Sequence, residues 1–137
     1  MADKHIRLEV VTPERIVVDE AVQIVMAPGV LGEFGVLTGH TPFLTTLKVG
    51  MLHYNDAGGT ERYVFVNGGF AEALPDKVTV LVESAERRRD IDTERAKTAM
   101  ERATERLDKE DENIDYVRAQ AALERAMYRL KLSETKK

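Results

Sequence analysis

Every glycine and every proline in this chain, nine and four of them, lies before Ala85. Over that span apolar residues alternate with polar ones at period two. Beyond Ala96 they recur every three or four residues. Period two is the mark of a half-buried strand, and a period near 3.6 that of an amphipathic helix. Residues 85–96, reading Ala-Glu-Arg-Arg-Arg-Asp-Ile-Asp-Thr-Glu-Arg-Ala, therefore join a strand-built part to a helix-built part. The expected division is 1–86 for the strands and 87–137 for the helices.

A chain of 137 residues holds one domain, or a small domain with an appendage. With aromatics at 6% and no tryptophan, its core must be aliphatic. Without cysteine there is neither a disulfide nor a thiolate metal site, and a reducing compartment is expected. The first residues, Met-Ala-Asp-Lys-His, have no apolar signal core. No apolar run approaches the ~20 residues needed to cross a bilayer, so the chain is expected to be soluble and to stay where it is made.

The net charge of −4 conceals an asymmetry. Residues 1–86 carry 6 Lys/Arg against 12 Asp/Glu, and residues 87–137 carry 14 against 12. An acidic strand part repels nucleic acid, which excludes a general DNA- or RNA-binding role. Anions are expected at the tail.

Ile6-Arg7-Leu8-Glu9-Val10 alternates cleanly as a first strand. Ile16-Val17-Val18 and Val22 to Met26 read as two more, Phe43 to Leu47 and Gly50 to Tyr54 as the next pair. Asn55-Asp56-Ala57-Gly58-Gly59 is a hairpin turn leading to Arg62 to Val66. Phe70 to Leu74 and Val78 to Val82 form a last hairpin. Short strands at this spacing argue for an antiparallel sandwich or flattened barrel. Residues 28–42 resist the scheme. Four glycines and two prolines in fifteen residues cannot form a regular strand, and Val30, Leu31, Phe34, Val36 and Leu37 argue against disorder. Two readings stay open, an irregular corner and a partner-docking surface.

The tail repeats itself. Ile91-Asp92-x-x-Arg95-Ala96-x-x-Ala99-x-Glu101-Arg102-Ala103-x-x-Arg106-Leu107 returns 23 residues later as the segment from Ile114 to Leu130, with ten identities in seventeen positions. Asp90 and Asn113 are the expected helix caps, and Asp92 and Asp115 the first-turn acids. A polar link from Asp108 to Asn113 makes the pair an antiparallel helical hairpin. Its seam would run Ala96, Ala99/Met100, Ala103, Leu107 against Ala119, Leu123, Ala126/Met127, Leu130. Alanine removes little apolar surface, so the hairpin should be marginal on its own and able to detach.

Arg95, Arg102 and Arg106 share one face of the first helix; Arg118, Arg125 and Arg129 repeat the spacing on the second. One reading is a solvated face paired with Glu101, Glu105 and Glu124, which contributes little. The other is a polyphosphate site, since guanidinium forks bind phosphate oxygens bidentately. No phosphate-binding glycine loop is present. His5, His40 and His53 lack ligand spacing, so no metal site is expected, and no serine or carboxylate pair suggests catalysis.

Three motifs carry a resemblance. Gly32-Glu33-Phe34-Gly35-Val36-x-x-Gly39-His40-x-Pro42 resembles the signature loop of the epsilon subunit family of bacterial F-type ATP synthase. Val66-x-Gly68-Gly69-Phe70-x-Glu72 resembles its second signature, and Ile91-Asp92-x-x-Arg95-Ala96 its nucleotide motif. Phe34 stands where the family usually has leucine, and Thr38 where it has proline.

The resemblance implies a β-sandwich of about ten strands followed by a two-helix hairpin. It implies a non-catalytic rotor subunit of the central stalk, peripheral on the cytoplasmic face of the bacterial membrane. Its partners would be the gamma subunit, the c ring and, through the C-terminal helices, the catalytic alpha/beta ring. It would couple proton flow to rotation and restrain ATP hydrolysis. Glu33, Phe34 and His40 would lie in the docking loop. No cofactor would be obligatory, but ATP would be a regulatory ligand at Glu86, Ile91, Asp92, Arg95, Arg102, Arg125 and Arg129. Ile91 would pack on the adenine, Asp92 accept from its amino group, and the arginines hold phosphates. Ile114-Asp115 copies Ile91-Asp92, but only the first copy adjoins Glu86 and the sandwich. A free-standing nucleotide-sensing or adaptor module remains the alternative.

Overall fold

The computed structural model describes residues 5–135; Met1–Lys4 and the last two lysines of the tail lie outside them. The strands are β1 (Ile6–Val11), β2 (Ile16–Gly29), β3 (Gly32–Val36), β4 (Phe43–Leu47), β5 (Gly50–Asp56), β6 (Glu61–Val66), β7 (Gly69–Ala73), β8 (Lys77–Leu81) and β9 (Ala85–Arg87). A 3₁₀ turn, Arg88–Asp90, leads into α1 (Thr93–Asp108) and α2 (Tyr116–Ser133). The architecture is the expected sandwich followed by a helical hairpin, with nine strands among the described residues.

Neighbours run β1-β8-β7-β4-β2-β5-β6-β9, and β1 also pairs with β2, so the long second strand serves both layers. Its start pairs with β1, its middle with β5 and its end with β3. The core between the layers is aliphatic, built from inward residues such as Ile6, Leu8, Val10, Val25, Leu52, Val64, Val78 and Val80.

Two sequence expectations need correction. The segments around Val17 and Val25 are one strand, with a register shift between Val22 and Ile24. The acidic pair between them does not break it, because each carboxylate has a cation: Asp19 meets Arg7 at 2.6 Å, and Glu20 meets Arg87 at 3.5 Å. The glycine-rich segment is also more regular than its composition implies. Gly29 pairs with Gly32 across a two-residue turn, and β3 pairs with β2 from Val36 back to that turn. Gly32 supplies a φ of +130° there, which side chains disfavour. Gly69, at φ +118°, is tighter still: a Cβ on it would lie 2.1 Å from the Leu81 carbonyl oxygen.

In the hairpin, Ala96, Ala103, Ala119 and Ala126 are the buried seam. Met127 is 53% exposed and takes no place in it. Tyr116 closes the link between the helices: its hydroxyl donates to the Lys109 carbonyl and accepts from the Asp111 N–H. No helix among the described residues is long and apolar enough to cross a membrane.

Candidate functional site

The site grows from the register of β6 and β9. Val64 and Val66 point into the sandwich, so Tyr63 and Phe65 occupy the opposite face. Phe65 pairs with Glu86, which places that carboxylate on the same outer face. Phe65 is nonetheless fully buried, because α2 covers it. Arg129 takes both partners: its guanidinium carbon lies 4.5 Å from the Phe65 ring centre, and its Nε donates to Glu86 at 3.1 Å. Leu132, one turn on, is also fully buried. The hairpin is thus fastened through one ion pair, one cation–π contact and a little apolar area.

Arg129→Ala is therefore expected to loosen the hairpin without unfolding the sandwich. The two contacts together are worth about 1–3 kcal/mol, since both partners are half-sheltered from water. Amide hydrogen exchange should accelerate across α2 and stay unchanged in β1 and β8.

The three consecutive arginines divide their work. Arg87 pairs with Val64 and so points with the inner face. Its Nε donates to the Val17 carbonyl at 3.0 Å, and a terminal nitrogen donates to the Tyr54 hydroxyl at 3.3 Å. Burial raises the Tyr54 pKa, and the Arg87 charge opposes that rise. Arg87 is thus a structural tie, which the sequence did not reveal. Arg88 and Arg89 turn outward and, with Arg87, Glu61, Arg62, Tyr63 and Ile91, line an open cleft of about 310 Å³ at the foot of the hairpin. Arg62 is held by Asp56 at 3.1 Å. Among the described residues neither Arg88 nor Arg89 has a carboxylate within 4.0 Å. Tyr63 donates to Glu61, and that bond raises its pKa.

The caps differ from expectation. Asp92 and Asp115 are themselves the N-caps, each accepting from the N–H three residues on, at 3.1 and 3.0 Å. Asp90 lies in the 3₁₀ turn and Asn113 in the interhelical link. The aspartates start these helices because a carboxylate in extended backbone reaches the third N–H of the turn, which a residue two positions earlier cannot.

Of the residues assigned to ATP, Glu86 and Arg129 are joined to each other, and Ile91 is the one that lines the cleft. Arg95 and Arg102 are exposed and Arg125 half-buried. The pairing of the arginine trios with Glu101, Glu105 and Glu124 does not occur among the described residues. Glu105 meets Lys109, and among the described residues the one helix arginine with a carboxylate partner is Arg129.

Elsewhere on the sandwich, β3 and the segment after it form a second candidate surface. The Phe34 ring meets Phe43 edge-on with centres 5.3 Å apart, and His40 meets Phe43 at 5.0 Å. Glu33 reaches His53 at 3.4 Å. Leu31 at the hairpin tip is 99% exposed, and Val30, Leu37 and Leu44 are more than half exposed. Exposed apolar side chains grouped in this way make it a candidate contact surface.

The two halves correspond to two family domains. Residues 5–88 match the ATP synthase delta/epsilon chain beta-sandwich domain, and residues 89–134 match the long alpha-helix domain of the same chain. The chain belongs to the ATP synthase epsilon-chain family. Membership makes it a stalk subunit of ATP synthase. It is 62% identical to the ATP synthase epsilon chain of Desulfatibacillum aliphaticivorans, over 97% of this chain and 94% of that one. It is 60% identical to that of Desulforapulum autotrophicum, over 97% and 98%. A chain in the Euglena gracilis mitochondrial ATP synthase structure (OSCP, F1 and c-ring) superposes with TM-score 0.80 at 26% identity, over 93% of this chain and 80% of that one. A chain of the Tetrahymena thermophila mitochondrial central stalk and c-ring shares the fold, with TM-score 0.56 at 10% identity. The relatives match along nearly their whole length, which sets aside the free-standing adaptor.

Proposed function

We propose that this protein is a non-catalytic rotor subunit that couples proton translocation to ATP synthesis and restrains ATP hydrolysis with a detachable hairpin. The observation that carries the reading is the slender attachment of α2: Arg129 on Glu86 and Phe65, over an alanine seam between the helices. A tail held this way is suited to two states. Folded down, it covers Phe65. Raised, it presents its arginines to acidic surfaces of the catalytic alpha/beta ring.

The sandwich would bind the gamma subunit and the c ring through the apolar end that holds Glu33, Phe34 and His40. This would keep the protein peripheral on the cytoplasmic face of a bacterial membrane. ATP would be a ligand of the folded-down hairpin. Ile91 and Asp92 would take its base, with Glu86 beside them; Arg95, Arg102, Arg125 and Arg129 would take its phosphates. The test is co-purification with gamma and the catalytic ring from the native source, followed by ATP titration of the isolated chain by calorimetry. Isolation as a free monomer would end the rotor reading.

Leu31→Glu tests the docking end separately. The side chain is almost fully exposed, so the variant should melt within about 2–3 °C of the parent, as surface changes stay within about ±0.5 kcal/mol. Placed in an apolar interface, the same charge should weaken assembly with the c ring at least tenfold, the effect of about 1.4 kcal/mol. Normal assembly of the variant would show that this tip is not the contact.

A further inference from the structure

We infer that Tyr63, Arg88 and Arg89 complete the nucleotide site: the Tyr63 ring takes one face of a purine base whose other face rests on Ile91, and the two arginines bind the phosphates nearest the ribose. The inference rests on the ATP-binding reading of the hairpin and adds residues from outside it, two of them before its first helix and one on the sandwich.

Ile91 lines the cleft at the foot of the hairpin, and Tyr63 is another of its walls. A base packed on Ile91 therefore enters this cleft. Tyr63 is already ordered for the task. Its ring stacks on His53, with centres 5.6 Å apart and planes 21° from parallel, and its hydroxyl is tied to Glu61. His53 in turn lies 3.4 Å from Glu33 and 3.7 Å from Glu61. An aromatic ring held from one side offers the other to a ligand, with little rotamer freedom left to lose on binding.

The charges of the cleft point the same way. Glu61 is the acidic residue of its lining, and Arg62 and Arg87 each have a carboxylate partner outside it, Asp56 and Glu20. Arg88 and Arg89 share the cleft without one among the described residues, so its surplus charge is positive and set beside an aromatic wall. A base carrying phosphate is the ligand chemistry that satisfies both. The volume of about 310 Å³ is at the small end of ligand pockets, ~300–1,000 Å³. It suits the base, the ribose and the first phosphate, while the outer phosphates extend toward the arginines of the helices.

Calorimetric titration of the whole chain with ATP and with AMP tests this, on the parent, Tyr63→Phe, Tyr63→Leu, Asp92→Ala and the double variant Arg88→Gln/Arg89→Gln. Tyr63→Leu should weaken both nucleotides about tenfold or more, while Tyr63→Phe, which keeps the ring, stays near the parent. The double variant should weaken ATP roughly 10–100-fold; Arg89 is exposed and Arg88 half-buried, and neither makes an ion pair among the described residues, so the fold should survive both changes. Suppose the parent binds ATP and Asp92→Ala does not, yet Tyr63→Leu and the double variant bind as the parent does. The cleft is then no part of the site, and the hairpin reading stands alone. Equal loss in Tyr63→Phe and Tyr63→Leu would overturn the stacking role. A parent that binds no ATP at millimolar concentration would overturn both readings.

Discussion

Cut after Arg88, the chain should leave a folded sandwich, and an ATP synthase rebuilt with that fragment should hydrolyse ATP faster than one holding the whole chain. The cut keeps β9 and all three attachments of Arg87: the Val17 carbonyl, the Tyr54 hydroxyl and Glu20. It strips α2 from Phe65, which is fully buried but not part of the sandwich core. Uncovering that side chain costs about 1.5–3 kcal/mol. For a domain of this size that lowers the melting temperature by roughly 10 °C, while the fold survives. A cut two residues earlier also removes Arg87 and leaves the Tyr54 hydroxyl with Glu20 alone, at 3.4 Å, for a further loss of about 1–3 kcal/mol. Circular dichroism melts of the two fragments should therefore differ, the longer being the more stable. Hydrolysis is expected to rise because the restraint needs a tail that can leave the sandwich. An unfolded longer fragment, or unchanged hydrolysis in the rebuilt complex, would contradict the account.

The second large effect is expected from paired substitutions at the two helix starts. Asp92→Ala should abolish or strongly weaken ATP binding, while Asp115→Ala should leave it nearly intact. The structure makes the comparison well matched. Both aspartates cap their helices with the same bond at nearly the same distance, so both variants lose a cap worth about 1 kcal/mol. What differs is location. Asp92 follows Ile91, which lines the cleft against β6 and β9, and Asp115 sits past the interhelical link. ATP bound only to the folded-down state stabilises it by RT ln(1 + [L]/Kd), about 2.7 kcal/mol at a hundredfold excess. That matches the worth of the Arg129 contacts, enough for a ligand of the proposed kind to shift the balance between the two proposed states. Arg125→Ala should weaken ATP more than AMP, since its proposed role is with the outer phosphates. Equal losses from the two aspartate variants would show that the cap matters and the position does not.

Much of this was legible along the chain. The switch of period at residues 85–96 separates the sheet from the helices, because alternation and helical spacing are local properties of the backbone. The repeat of Ile91-Asp92-x-x-Arg95-Ala96 marked two equivalent helices, and the structure gives them the same cap. The alanine seam and the polar link foretold a hairpin with little apolar area. The apolar residues of the glycine-rich segment marked a surface, although its regular pairing with β2 went unseen.

The tertiary structure alone decided the rest. Ala85-Glu86-Arg87 has no alternation long enough to read as a strand, and it becomes β9 only because β6 offers an open edge. That pairing sends Arg87 inward and Glu86 outward. In sequence the three arginines are equivalent neighbours; in the fold all three border one cleft, but Arg87 is tied to the sheet while Arg88 and Arg89 have no carboxylate partner among the described residues. Asp19 and Glu20 interrupt an apolar pattern, yet the strand runs on because Arg7 and Arg87 are brought to them. Phe65 and Arg129 lie far apart in the chain and meet because α2 folds back across β6. Periodicity reports which face a residue shares with its neighbours a few positions away. It does not report what lies against that face, because strand register and helix docking are set by contacts between residues remote in sequence.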